Sequence, residues 1–207
     1  MKLFAAAALL FSLSVGAAAP AQAASERVVL AGGCFWGMQL VFESLRGVDH
    51  VVAGYSGGSA GTAQYETVST GTTGHAESVE ITYDPAKISF KELLDVYFLV
   101  AHDPTELNRQ GPDEGTQYRS EIFHTSTRQR AEALAYIAHL ERQHVYASRV
   151  VTLVAPLRSF YPAEAYHQDY AVHNPQNPYI AFNELPKMKA LREKYPSLVK
   201  ADAPFGT

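Results

Sequence analysis

Short runs of apolar residues, some alternating and some spaced by three and four, follow one another along the chain. Glu26 to Ala31 is Val/Leu-rich and ends at Gly32-Gly33, which predicts a strand feeding a tight turn. Phe35, Met38, Phe42 and Leu45 then recur at helical spacing, predicting an amphipathic helix that opens at or near Cys34 and stops at Gly47. Val48 to Tyr55 predicts a second strand, and Ser56 to Gly74 a Gly/Ser/Thr-rich loop interrupted by Tyr65. Val79, Ile81 and Tyr83 alternate as in a half-buried strand, and Asp84-Pro85 turns the chain.

Further on, Ser89-x-x-Glu92 forms a capping box ahead of Leu93, Leu94, Tyr97, Phe98 and Ala101 on one helical face. His102 to Gln117 is polar, bears Pro and Gly, and has no period; loops of that length inside a domain usually serve function. Tyr118, Ser120 and Ile122 begin another strand, Ser126-x-x-Gln129 caps a third helix, and Val150 to Val154 is a continuous apolar strand. After Asn174-Pro175 the tail is Pro-rich and ends in a short helix around Pro186 to Lys194. Strands alternating with helices predict an α+β two-layer sandwich, a ferredoxin-like mixed sheet covered by helices.

The first residues belong to a different class of segment. Lys2 supplies a positive start, Leu3 to Val15 an uncharged apolar run, and Ala21-Gln22-Ala23 a small-residue cleavage site. That is the pattern of a secretory signal peptide over 1–23, too short to span a bilayer. It predicts an exported protein, periplasmic or secreted, with no membrane attachment once cleaved and one domain over 24–207, including a C-terminal tail from about 181. The formal charge of −4 becomes −5 without Lys2, a mild acidity that leaves no footprint for nucleic acid. Twelve tyrosines and ten phenylalanines suit a core or an apolar pocket.

Export changes the meaning of the single cysteine. Oxidising compartments pair thiols into disulfides, and Cys34 has no partner in the chain. A leftover thiol is either reactive or buried and inert. Its setting, two glycines and then the start of a helix, favours reactivity. Helix N–H groups and the positive end of the dipole stabilise a thiolate and lower the cysteine pKa.

Gly33-Cys34-Phe35-Trp36-Gly37 resembles the GCFWG active-site motif of the A-type peptide methionine sulfoxide reductases. Gly54-Tyr55-Ser56-Gly57-Gly58, Gly74-His75-Ala76-Glu77, Tyr83-Asp84-Pro85 and His102-Asp103-Pro104-Thr105 follow in that family's order. So do Asn108-Arg109-Gln110-Gly111, Gln117-Tyr118-Arg119-Ser120 and Tyr166-His167-Gln168, and the resemblance covers about Val28 to Tyr179. It implies thiol-dependent reduction of free and peptide-bound methionine S-sulfoxide, with repair of oxidised exported proteins as the task. Cys34 would be the nucleophile, Glu77 the general acid, and Tyr65 and Tyr118 the phenol donors to the sulfoxide oxygen. Phe35 and Trp36 would hold the methyl group, and Asp113 would orient the polar side of the pocket. The family commonly has Asn where this chain has Pro112, which stiffens the loop before Asp113.

The chain also lacks the C-terminal resolving cysteines of many relatives. The resemblance is therefore to a single-cysteine form that binds no cofactor. It is regenerated from a sulfenic acid by an external thiol, thioredoxin-like or of the glutaredoxin/glutathione type, or by another exported dithiol protein. Oxidised proteins and peptides containing methionine sulfoxide would be its substrates, a thiol-donor redox protein its partner, and the protein a monomer.

Two other chemistries share some of these residues. A cysteine protease also combines a Cys near the mature N-terminus with His167 and Asn174 downstream, but the Gly-Ser-Cys-Trp-type signature is missing. Glu164, His167, Asp169 and His173 are a local set of metal-ligand types, at a spacing that fits no standard zinc pattern.

Overall fold

β1 (Glu26–Ala31) opens the fold as a central strand of the sheet. The structure, a computed structural model, describes residues 24–205; the signal peptide expected over 1–23 lies outside them. Then come α1 (Phe35–Glu43), β2 (Val48–Ser56), α2 (Tyr65–Val68), β3 (Ala76–Tyr83) and α3 (Phe90–Val96). A small hairpin of β4 (Arg109–Gln110) and β5 (Asp113–Glu114) precedes β6 (Glu121–His124) and α4 (Thr127–Arg142). β7 (Leu153–Pro156), β8 (Phe160–Pro162), α5 (Tyr170–His173) and α6 (Leu185–Lys194) complete the chain.

The main sheet runs β7-β6-β1-β3-β2-β8. Its inner four strands are all antiparallel, and β6 pairs with β7 in parallel, so the sheet is mixed. With α1 and α3 as crossovers, β1-α1-β2-β3-α3-β6 gives the strand order β6-β1-β3-β2, the ferredoxin-like arrangement. Val28 and Leu30 of β1 face the helical layer and belong to the large core with Met38, Val41 and Phe42 of α1. Val29 and Ala31 point the other way, into a small cluster with Ala76 and Phe123. Burying a side chain of this kind contributes about 1.5–3 kcal/mol, so β1 is held from both faces.

The sequence periodicity describes α1 only in part. Seven of its nine residues are buried, including Gly37, Gln39 and Leu40 off the predicted stripe. α5, α6 and the last residues cover its outer side. Ser44 C=O accepts Lys200 N–H at 2.8 Å, and Leu198 C=O accepts Arg46 N–H at 2.7 Å. The helix ends at Glu43, and Gly47 lies beyond it at the turn into β2. Three other local expectations also shift. Tyr65 opens a helical turn inside the predicted loop, Tyr118 sits in a 3-10 turn ahead of β6, and Val150 lies outside β7.

At α3 the capping box is present with both of its bonds: Ser89 Oγ accepts Glu92 N–H, and Glu92 Oε2 accepts Ser89 N–H. Ser89→Ala is expected to lower unfolding free energy by about 1 kcal/mol, read as a lower urea midpoint at unchanged slope. On the outer side of α1, burial and the neighbouring Asp169 push the Glu43 carboxyl from 4.5 up to about 8. The unfolded chain releases that proton near the lower value and the folded chain holds it to the higher one. Stability is therefore greatest below that window and declines as pH rises through it. Calorimetry of Glu43→Gln is expected to show a shallower decline across the window; an unchanged slope would contradict the assignment.

Candidate active site

The end of β1 and the start of α1 set the position of the thiol. Gly33 takes φ +90°, and a Cβ there would meet Gln110 Cγ at 2.6 Å, so the turn needs glycine and the 102–117 loop lies directly on it. Cys34 is the N-cap residue of α1, buried at 7 % exposure. The expected lowering of its pKa is not what the surroundings give. Burial first, then the facing carboxylates Glu77 and Glu184, raise the thiol well above its ordinary value, and an opposing hydrogen bond from the Trp36 backbone does not offset them. Part of the helix N-terminus is directed elsewhere, because Phe35 N–H donates to Glu77 Oε2 at 3.1 Å.

Glu77 sits on β3, an inner strand, opposite Tyr55 of β2, and is 2 % exposed. Its neighbourhood in sequence reads as an edge, but pairing on both sides of β3 closes it off from solvent. Burial, followed by the charges of Asp113 and Glu184, pushes its carboxyl up to about 8 despite the Phe35 hydrogen bond. At neutral pH Glu77 therefore holds a proton.

Tyr65 and Tyr118 are both raised, by burial and then by the facing Glu77, and both remain neutral donors. The Tyr65 ring lies 4.4 Å from the His167 ring, and its backbone N–H donates to Glu164 Oε1 at 2.9 Å. Cys34 and Glu77 face both phenols. Asp113 pairs with Gln110 in the small hairpin, and its Oδ2 accepts the Tyr179 hydroxyl. Burial also raises the Asp113 carboxyl.

Phe35 is 1 % exposed and packs on Tyr55 and His167 at 5.8 and 5.0 Å. Trp36 is half-buried. Its indole N–H donates to His167 Nδ1 at 3.1 Å, one face stacks on Tyr170 at 3.9 Å, and Tyr179 meets it edge-on. All seven residues singled out in the sequence thus gather at the Cys34 end of α1.

Several neighbours had no role in the reading by resemblance. His167 and Glu164, named above only for the protease and metal alternatives, belong to this site, and Glu164 ties Tyr55 to Tyr65 through both carboxylate oxygens. Tyr170, Tyr179 and Glu184 carry no sequence signal of their own. Glu184 is buried, ion-paired to Lys187 at 2.7 Å, and presses on the first turn of α1. A Cβ on Gly37 would lie 1.6 Å from Glu184 Oε2, which is the physical reason for glycine in that position. The start of the tail therefore covers the thiol, while Met188 and Leu191 of α6 are buried in the core behind it. Three of the four side chains of the alternative metal set have other partners: Glu164 holds the two tyrosines, His167 accepts from Trp36, and Asp169 faces Glu43. Among the described residues no group of three or more His, Cys, Asp or Glu is placed to hold a metal ion, and no helix is long and apolar enough to cross a membrane.

Residues 26–198 match the family model described as peptide methionine sulfoxide reductase. A peptide methionine sulfoxide reductase MsrA 2 of Mesorhizobium japonicum is 53 % identical over 174 residues, 84 % of this chain and 89 % of that protein. The MsrA 2 of Synechocystis sp. is 50 % identical over 86 % of this chain and 84 % of its own length. Among solved structures, reduced Mxr1 of Saccharomyces cerevisiae superposes with a TM-score of 0.70 at 34 % identity, covering 77 % of this chain and 90 % of that one. Methionine sulfoxide reductase A of Corynebacterium diphtheriae gives 0.69 at 35 % identity, over 75 % and 77 % of the two chains. With its mixed sheet, its buried thiol and its protonated carboxyl, the chain belongs to the peptide methionine sulfoxide reductase family and is an oxidoreductase acting on methionine sulfoxide.

Proposed function

We propose that the enzyme reduces free and peptide-bound methionine S-sulfoxide through a sulfenic acid on Cys34, which an external thiol then reduces. The observation that carries this reading is the pairing of a buried thiol with a buried, protonated Glu77, joined through the Phe35 amide. Sulfoxide sulfur becomes electrophilic only when its oxygen receives a proton or strong hydrogen bonds. Glu77 gives its proton to that oxygen, Tyr65 and Tyr118 donate hydrogen bonds to it, and Cys34 sulfur bonds to the substrate sulfur. The thiol proton passes to the Glu77 carboxylate as the bond forms. The oxygen ends on Cys34, methionine departs as the thioether, and no net proton is consumed. A thiol held above its ordinary pKa suits this sequence, since it keeps its proton until Glu77 has given up its own and become a base.

Trp36 and Phe35 supply the apolar wall for the methyl group, and the Asp113–Tyr179 pair fixes the polar side. Mxr1 has also been solved in complex with Trx2, which supports a thioredoxin-type donor here. The segment over 1–23 supports export and a repair role outside the cytoplasm, with cleavage after Ala23. The test is a single turnover without reductant, using excess peptide of each sulfoxide epimer. About one methionine per chain from the S epimer alone, with loss of the thiol, supports the reading. Methionine from neither epimer would sink it.

A further inference from the structure

Cys34 lines a cavity of ≈ 250 Å³ that contains none of Glu77, Tyr65, Tyr118, Phe35 or Trp36. Its other walls come from the loop at Gln110 to Pro112 and from the tail at Tyr179, Asn183, Glu184 and Lys187. Lys187 is the one cation among these walls, since burial drives His102 down to about 4 and leaves it neutral.

We propose that this cavity, which shares Cys34 and Tyr179 with the sulfoxide side but none of the oxygen's donors, is the entry for the reducing thiol. The proposal rests on the sulfenic acid reading above. After methionine leaves, the oxygen on Cys34 still lies among its donors Glu77, Tyr65 and Tyr118. Displacement at sulfur is collinear, so an attacking thiolate has to arrive on the side away from that oxygen. The cavity lies on a side of Cys34 that none of those donors lines. The incoming sulfur bonds to Cys34 sulfur, the S–O bond breaks, and the hydroxyl leaves as water with the proton of Glu77, which the proton given up by the incoming thiol replaces. A second thiol then attacks the outer sulfur of the mixed disulfide and restores the Cys34 thiol, so two thiols are oxidised to one disulfide. A cavity of this size takes a cysteine-sized group, either a small thiol or one side chain offered by a protein.

The two half-reactions separate the proposal from the function it rests on. Asn183→Trp fills the cavity. Methionine formed in a single turnover is measured first; then the loss of the Cys34 sulfenate is followed on adding dithiothreitol or thioredoxin. Asn183→Trp is expected to leave the single turnover within about twofold and to slow sulfenate reduction at least about tenfold. Slowing with both reductants marks a common route, and slowing with dithiothreitol alone marks a passage for small thiols; either supports the entry. Unchanged reduction with both, or equal slowing of the two half-reactions, overturns it. A wild-type enzyme that forms no methionine would instead remove the function itself.

Discussion

Cys34→Ser protein is expected to form no measurable methionine from either sulfoxide epimer, a loss of at least about 10⁴-fold against the parent enzyme. A serine hydroxyl in the same place has a far higher pKa and a weak oxygen nucleophile, and an O–S bond to the substrate sulfur gives no route to a sulfenic acid. The loss should appear in single turnover as well as in steady state, since it strikes bond formation itself. The substitution exchanges one small buried group for another at the N-cap of α1, where Ser is well suited. The variant should therefore melt within a few degrees of the parent and give a clean reading. Single-turnover methionine at parental yield from Cys34→Ser would remove the nucleophile from Cys34.

Glu77→Gln is the second large effect, about 10²- to 10⁴-fold in kcat/KM. The amide keeps the acceptor for Phe35 N–H but has no proton to deliver to the sulfoxide oxygen. The pH profile separates this from misfolding. Glu77 acts while protonated, and its carboxyl sits at about 8, so parental activity should hold below that value and fall as pH rises through it. In Glu77→Gln that alkaline decline should vanish from the residual activity. A folded-state pKa raised above the unfolded one also means that the parent loses stability as pH climbs through this window. At alkaline pH Glu77→Gln should accordingly be at least as stable as the parent, and a variant that is less active because it is less stable would show the reverse.

The four inner strands and both crossover helices were legible because each carries a period, 2 for β3 and 3 to 4 for α1, and because Ser89 and Ser126 announce their helices. What escaped depends on contacts far apart in sequence. β8 pairs with β2 across more than a hundred residues and has only three residues of its own. Gln39 is buried because its side chain meets Val51, Gln168 and Asp169, and the tail near Leu198 and Lys200 bonds Ser44 and Arg46 just past α1, contacts that no window around the helix can reveal. In the site, motifs located Cys34, Glu77 and the tyrosines but misjudged the ionisation of the thiol. The N-terminal placement of Cys34 was visible, while the burial that chiefly outweighs it, and the carboxylates that add to it from β3, the tail and the small hairpin, depend on the whole fold. Tyr179 and Glu184 stayed unread since a lone Tyr and a lone Glu in a Pro-rich tail have no local pattern.

The order in which the site is built bears on how the protein is made. Cys34 belongs to the first crossover, while its cover, Glu184 with Lys187, follows 150 residues later. At roughly 5–20 residues per second of synthesis, that interval lasts about 8 to 30 s. Throughout it the nascent chain carries a thiol that its own fold does not yet shield. The exposure ends only when nearly the last residues emerge and close against α1. With one cysteine in the chain, a newborn molecule has no way to mispair internally. Its hazard is capture by some other thiol before the tail arrives, and a chain truncated ahead of Glu184 would remain in that state for good.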